Sequence, residues 1–300
     1  MAIQLKDPDV TLMFVASSTS NIMRHNTKAI LDEKYNRHKL PQQYEQTFDD
    51  VWSRRRLENP SLWNGTKFRL HSTKLESDCF SFHLGITCYK DFITTNWSPQ
   101  SRTFQELGIK EHNNTQAYMS DAMGVGSLLQ TSDGLVIFMK RSSKCGEAVG
   151  LYDIPGGHAE PEELVGKIEA EDIKLDALSP ADIVKEIYDS VLREIRDEVN
   201  IPLASLSEPV LIGIARNTTS AGRPSVEFFV KCNLSSEDVK KRYCQGDHAE
   251  ADETEDIKFF SIQEVLNMYD KPFWKQLAPS AKGCVMLFCL QNSITEETAK

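Results

Sequence analysis

The chain has 300 residues and a mass of 34.0 kDa, which is more than one average domain, so two domains are expected. Apolar residues make up 40% and charged residues 26%, a composition typical of globular proteins and not of disordered ones. The 34 basic and 44 acidic residues give a formal charge of −10, which argues against a protein whose main task is to hold nucleic acid.

Targeting and membrane signals are not visible in the sequence. The longest apolar run, residues 284–290, is far shorter than the ~20 residues of a membrane-spanning helix. No basic stretch followed by an apolar one opens the chain, as a secretory signal would. Seven cysteines are scattered without a Cys-x-x-Cys pair, which favours a reducing compartment. We therefore expect a cytoplasmic protein, with the nucleus left open, that binds neither membranes nor nucleic acid.

The first part of the chain contains strand-like segments. Residues 10–16 form one strand candidate, and two stretches rich in aromatic and β-branched residues, 67–76 and 79–89, predict further strands. A polar connection at about 96–114 is the best linker candidate. We expect a smaller β-rich domain over 1–116 and an α+β domain over 117–300.

The second part combines a hairpin, a long helix and later strands. The segments VGSLLQT and GLVIFMKRS flank Ser132-Asp133, with Gly134 at the turn, and predict a hairpin. Residues 179–201 give the clearest helix, since Ser179 suits the N-cap and Pro180 the first helical position. Strand candidates PVLIGIAR, SVEFFVKC and DIKFF follow. The run CVMLFCL fits a last helix, with a strand as the alternative.

Three acidic residues share one face of the predicted helix. At about 100° per residue, Glu194, Asp197 and Glu198 fall within about one third of its circumference. Converging carboxylates repel one another unless a cation lies between them, and oxygen ligands at this spacing suit Mg²⁺. The alternative is a solvated acidic face. The upstream Gly156-Gly157 favours a metal site, because its backbone can approach a ligand closely.

These segments resemble the Nudix hydrolases, whose signature is GX5EX7REUXEEXGU with U an aliphatic residue. Gly157, five residues and Glu163 are similar to its first part, and residues 193–201 to its second, with Asp197 for a Glu and Asn200 for the glycine. Asn tolerates the left-handed conformation that the glycine would adopt, so that change is mild. The spacing differs, because 29 residues separate the two parts where the signature has 7, an insertion of 22.

The resemblance covers most of residues 60–290. Segments such as LGITCYKDFITTNW, LYDIPGGH, IGIARNTTSAGR and LAPSAKG are similar to the UDP-sugar-hydrolysing Nudix subgroup, which has an added N-terminal domain and the same split signature. It implies a Nudix fold, with a mixed β-sheet between helices, preceded by a smaller β-rich domain. It also implies Mg²⁺-dependent cleavage of UDP-glucose or UDP-galactose to UMP and a sugar 1-phosphate. We expect residues 164–178 to form a surface excursion that lets the double glycine and the acidic helix meet.

The resemblance and the chemistry of the side chains together assign the metal site. Glu194 and Glu198 are the expected metal ligands, with Asp197 as a further candidate. Arg193 is expected to pair with a carboxylate and fix its rotamer, a task that suits its planar fork. An activated water attacks phosphorus, and the residue that deprotonates it is left open among Glu194, Glu198 and Glu160.

The base is expected to contact aromatic residues. Trp63 is placed against uracil, because an indole face stacks on a base without needing hydrogen-bond geometry; the alternative is a core aromatic. Tyr89 can stack and can also form a hydrogen bond through its hydroxyl.

The phosphates and the sugar are expected to contact residues near the double glycine. Arg141, in preference to Lys140, is the expected anion partner, and His158 is expected to donate to phosphate. Asp153 is placed against a sugar or ribose hydroxyl. Ser280 is a substrate contact implied by the resemblance, with a helix N-cap as the alternative. The candidate substrate contacts are therefore Trp63, Tyr89, Arg141, Asp153, His158, Glu160 and Ser280.

Two other functions remain open, with a small-molecule nucleotide as the partner in each. The substrate can be another nucleoside diphosphate derivative, since the signature sets the phosphate chemistry and other loops set the base and sugar. A catalytically silent Nudix-like nucleotide-binding module is the other, and the presence of both Glu194 and Glu198 argues against it.

Overall fold

The computed structural model describes residues 5–17, 19–144 and 147–298, with the backbone alone for 293–298. The strands are β1 Val10–Val15, β2 Thr27–Leu31, β3 Thr66–Glu76, β4 Cys79–Cys88, β5 Gly124–Gln130, β6 Leu135–Arg141, β7 Tyr152–Asp153, β8 Gly156–His158, β9 Val210–Asn217, β10 Arg223–Lys231 and β11 Thr254–Ser261. The α-helices are α1 Gln42–Glu45, α2 Phe48–Glu58, α3 Tyr89–Thr94, α4 Ser101–His112, α5 Glu162–Val165, α6 Pro180–Val199, α7 Ser236–Tyr243, α8 Ile262–Leu266 and α9 Pro279–Thr298. Over these ranges, no helix is both long and apolar enough to cross a membrane.

The larger sheet is mixed and lies between two helices. Its strand order is β1-β9-β10-β5-β6-β11, with β7 paired to β6 and β8 to β5. Strands β5 and β10 run parallel. The ring of Tyr188 in α6 packs on Phe228, whereas Phe288 in α9 stacks on Phe229. Because neighbouring strand residues point to opposite faces, α6 and α9 cover opposite faces of the sheet. The predicted mixed sheet between helices is confirmed.

The smaller sheet has the order β2-β4-β3 and shares a core with the larger one. One cluster of buried apolar side chains includes Phe82 of β4, Val125 of β5 and Ile187 of α6. Strand β1 lies in the larger sheet, where it pairs with β9. A boundary at residue 116 therefore does not separate the two sheets. The first strand of residues 1–116 belongs to the larger sheet, whose other strands all lie after residue 116.

Local signals in the sequence placed several elements correctly. Helix α6 begins after Ser179, whose hydroxyl accepts from the main-chain N–H of Asp182, and ends at Asn200 in the left-handed conformation (φ 64°). The β5–β6 hairpin forms with Gly134 at φ 84°. The run CVMLFCL lies in α9 and is helical. Residues 164–178 lie at the surface, as expected, but the buried Ile173 and Leu178 anchor them to the core.

Arg69 links the small sheet to the segment that leads into the large one. Its side chain is fully buried, at 2% exposure. The guanidinium donates to the carbonyls of Tyr35 and Gln116, both at 2.7 Å, and of Met119 at 3.1 Å. Main-chain carbonyls taken out of water need a donor, so this one side chain stabilises three of them; the Gln116 carbonyl also accepts from the main-chain N–H of Met119 at 3.2 Å.

Replacing Arg69 by Ala should therefore lower the free energy of unfolding by about 3 kcal/mol or more, since it removes a buried side chain and the donors of three hydrogen bonds to main-chain carbonyls. Equilibrium urea unfolding measures this. Arg102→Ala is the matched control, because that side chain is 91% exposed and its loss should cost less than about 0.5 kcal/mol. Equal losses for the two variants would contradict the linking role of Arg69.

Candidate active site

The double glycine lies against the acidic face of α6. The main-chain N–H of Gly156 donates to Oε2 of Glu198 at 2.8 Å, and that of His158 to Oε1 of Glu194 at 3.4 Å. A Cβ on Gly157 would lie 2.1 Å from Oε1 of Glu194, so any larger residue there must displace this carboxylate. The insertion thus leaves the two parts of the split signature in contact, as predicted.

The acidic side chains of α6 are held in an unfavourable environment for charge. Glu198 is 4% exposed, and burial together with the charge of Glu194 raises its pKa well above the usual range. Burial and the charge of Glu250 raise the pKa of Glu194 to about 8. Asp197, the further metal candidate, instead has both carboxylate oxygens engaged by Arg196 at 2.7 Å.

Two carboxylates that the sequence did not single out complete the cluster. Glu250 and Glu253 lie in the loop before β11, and one oxygen each from Glu198, Glu250 and Glu253 lie within 4.8 Å of one another. The main-chain N–H of Glu250 donates to the carbonyl of Asp197 at 3.0 Å, which fixes the loop on α6. Burial and the charge of Glu253 raise the pKa of Glu250 to about 7.

This donor set fits a hard divalent cation. It consists of carboxylate oxygens that repel one another, and a cation between them would offset the cost of charging each. Glu198, Glu250 and Glu253 are the residues placed to share one ion, with Glu194 adjacent.

The carboxylate that pairs with Arg193 is Glu186. The guanidinium donates to both oxygens of Glu186, at 2.6 and 3.0 Å. Glu186 also accepts from the main-chain N–H of Glu160 at 3.1 Å, so the pair ties α6 to the chain after the double glycine. Glu163, which has the signature spacing, is exposed on α5 and acts on Arg193 only as a nearby charge. The carboxylate of Glu160 forms an ion pair with Lys67.

A cavity of about 110 Å³ lies beside the double glycine and contains several predicted contacts. Asp153 accepts from the Ser280 hydroxyl at 2.7 Å and from Arg141 at 3.4 Å. Asp153 thus orients two other lining side chains, and burial raises its pKa. Ser280 lies inside α9 and is not its N-cap. We refer to this space as the glycine cavity.

His158 and Arg223 form a pair at the edge of the glycine cavity. Nη1 of Arg223 lies 3.2 Å from Nε2 of His158, and a guanidinium can only donate, so Nε2 is the acceptor. Burial and the charges of Lys67 and Arg223 lower the pKa of His158 well below its usual range. The ring is therefore neutral, with its proton on Nδ1. Arg223 was missed as a site residue, although it is the last residue of IGIARNTTSAGR, one of the segments that carry the resemblance.

A second cavity, of about 160 Å³, is lined by aromatic side chains. Tyr89, Phe92 and Trp97 come from α3 and the turn after it, and we call this space the aromatic cavity. The two cavities are joined, because they share the lining residues Arg141, Glu147, His158 and Arg223.

Trp63 does not line either cavity. It is 42% exposed, and its indole N–H donates to Glu162 at 3.0 Å. The expected stack of uracil on Trp63 therefore has no support from its position, and it is not a core aromatic either. Tyr89, the other predicted aromatic contact, does line the aromatic cavity.

Comparison with known proteins identifies close relatives, although no protein-family model matches the chain. "Uridine diphosphate glucose pyrophosphatase NUDT22" of Homo sapiens is 40% identical over 289 residues, covering 94% of this chain and 93% of its own. The Mus musculus protein of the same name is 39% identical, covering 94% and 91%. "Nudix hydrolase 9" of Arabidopsis thaliana is 32% identical over 214 residues, 68% of each chain.

The carboxylate cluster predicts how stability depends on pH without a divalent cation. The pKa of Glu194 is 4.5 as a free side chain and about 8 in the fold, so the folded protein keeps a proton that the unfolded chain releases. Stability therefore falls as the pH rises from about 5 to 8. Thermal melts in a chelator should show Glu194→Gln becoming more stable relative to the unmodified chain across this range.

Adding Mg²⁺ should raise the melting temperature of the unmodified chain, most strongly at high pH, because the cation binds charged carboxylates. A difference between the two proteins that does not change with pH, together with no response to Mg²⁺, would contradict the electrostatic description of this cluster.

Proposed function

The chain belongs to the Nudix hydrolase family, and on that premise we propose that it hydrolyses the diphosphate bond of UDP-sugars, such as UDP-glucose and UDP-galactose, to UMP and a sugar 1-phosphate. The relatives named as UDP-glucose pyrophosphatases align with nearly the whole chain. The observation that carries the proposal is the contact of the double glycine with Glu194 and Glu198, beside an aromatic cavity and a group of cationic side chains.

Members of this family use a divalent metal ion, and we propose Mg²⁺ here because the donors are all carboxylate oxygens. Glu198, Glu250 and Glu253 would hold it, with Glu194 alongside. A bound Mg²⁺ supplies charge stabilisation at the phosphoryl group and a lower pKa for water.

The protein side chains have separate tasks in this scheme. Arg141 and Nδ1–H of His158 offer donors to the diphosphate in the glycine cavity. Of the three carboxylates left open as general base, Glu160 is held by Lys67, and Glu198 belongs to the proposed metal site. Glu194, which accepts from the main-chain N–H of His158 beside the double glycine, remains as the proposed base.

The N-terminal part of the chain is proposed to select the base. The phosphate and metal contacts are common to all nucleotide substrates, whereas Tyr89, Phe92 and Trp97 supply a stacking surface.

We also propose that the enzyme is located in the cytoplasm, with the nucleus as the alternative. None of the six cysteines in the described residues forms a disulfide, and Cys145 lies outside them.

Product analysis tests this function. The protein, with Mg²⁺, is incubated with UDP-glucose, UDP-galactose and a panel of other nucleoside diphosphate derivatives, and the phosphates released are identified. UMP and the sugar 1-phosphate are expected, and Glu198→Gln should lower kcat at least ~100-fold, the scale of losing one electrostatic stabiliser. Preferred cleavage of a different nucleotide would support the alternative substrate, and no cleavage would support a binding module.

Tyr89→Ala should raise KM for UDP-glucose about 5- to 150-fold, since a base–aromatic stack contributes ~1–3 kcal/mol. Its effect on kcat should be smaller, because stacking is present in ground and transition states alike. Trp63→Ala is the matched control and should change KM less than about twofold, since Trp63 lies outside the aromatic cavity. If Trp63→Ala raised KM and Tyr89→Ala did not, with the thermal melts of both variants unchanged, Trp63 and not Tyr89 would be the residue that stacks on the base.

A further inference from the structure

Glu147 occupies an unexpected position for an acidic residue. Among the described residues that line the aromatic cavity it is the one carboxylate, and it also lines the glycine cavity. A negative charge at the junction of the two cavities repels a diphosphate, so its presence calls for another interaction with the ligand.

The two oxygens of Glu147 differ in their partners. Oε1 accepts from the indole N–H of Trp97 at 2.6 Å and also from the hydroxyl of Ser220. Oε2 lies 3.3 Å from Nη2 of Arg223, which is long for an N–H···O hydrogen bond. A carboxylate oxygen has two acceptor directions, so Oε2 retains capacity for a further donor.

Arg223 provides the complementary group beside it. Its guanidinium lies over the ring of Phe92, 5.7 Å from the centroid, which holds it at the aromatic cavity. Its Nη2, the atom that lies 3.3 Å from Oε2 of Glu147, carries two N–H groups. Arg223 and Glu147 together therefore present a donor next to an acceptor, on the edge of an aromatic surface.

This arrangement matches one face of a pyrimidine. Uracil carries a carbonyl oxygen next to the N3–H, an acceptor beside a donor. Cytosine, in the same ring position, turns the lone pair of N3 toward the carboxylate, where the two repel and a buried acceptor stays unpaired. We propose that Glu147 accepts from N3–H of uracil while Arg223 donates to the adjacent carbonyl, so that this pair sets a preference for uridine over cytidine nucleotides. The proposal rests on the proposed function for its substrate class.

The test is Glu147→Gln. Trp97 and Ser220 both donate to Oε1, so the amide oxygen of the new Gln should occupy that position and its NH₂ should point toward the base. There the NH₂ would face the N3–H donor of uracil, an unfavourable contact, but could donate to N3 of cytosine. The binding of UMP and CMP is measured by titration calorimetry in Mg²⁺, beside kcat/KM for UDP-glucose and CDP-glucose. The UMP:CMP affinity ratio and the ratio of the two kcat/KM values should each fall at least about tenfold.

Glu160→Gln is the matched control, because it removes one charge at the carboxylate that pairs with Lys67, a lining residue of the same cavity. It should leave both ratios unchanged even if turnover falls. If Glu147 had only a structural role, the substitution would weaken the binding of UMP and CMP equally. A Glu147→Gln variant with an unchanged thermal melt and unchanged ratios of affinity and of kcat/KM would overturn the proposal. An unmodified chain that binds UMP no better than CMP would also overturn it. Because binding is measured without turnover, a failure of UDP-glucose hydrolysis is distinguished from a failure of base selection.

Discussion

The close approach of the β8 backbone to the acidic face of α6 is the contact on which the site depends. Gly157 can lie there only without a side chain, because a Cβ would lie 2.1 Å from Glu194. The contact buries two carboxylates whose charges repel each other and those of the loop before β11. A cluster of this kind is costly unless a cation is bound, so the geometry that destabilises the metal-free protein is the one that creates the ligand set.

The surrounding structure holds this contact in place and connects it to the aromatic cavity. The pair of Arg193 and Glu186 ties α6 to the chain after the double glycine. On the other side, Arg69 and the shared apolar cluster join the small sheet to the large one. The aromatic cavity is fixed to the same core, because Tyr89 directly follows β4, whose side chains belong to the shared apolar cluster. The residues proposed to select the base and those proposed to act on phosphate are therefore positioned by the same apolar core.

Local signals explain which parts could be predicted from sequence. Helix α6 has an N-cap, a proline at its first position and an apolar stripe, and these act over a few residues, so its bounds were predicted closely. The contacts of Glu250, Arg223 and Glu186 depend on chain segments that meet only in the fold, and no spacing in the sequence connects them. The sequence identified Trp63 as a side chain able to stack on a base, but it could not show where that side chain lies. Its contact with Glu162, 99 residues away in the sequence, forms only in the fold. Strand β1 was predicted as a strand, but its pairing with β9, about 200 residues further along the chain, could not be predicted from local sequence.

The most direct test of the account is the position of the bound cation. Mn²⁺ prefers the same oxygen ligands as Mg²⁺ and has a measurable anomalous signal, so crystals grown with Mn²⁺ locate it without ambiguity. We predict an anomalous peak at a site that is coordinated directly by Glu198 and by at least one of Glu250 and Glu253. A peak at Asp197 or elsewhere, with none at this cluster under conditions that saturate activity, would contradict the assignment of the acidic cluster as the catalytic metal site.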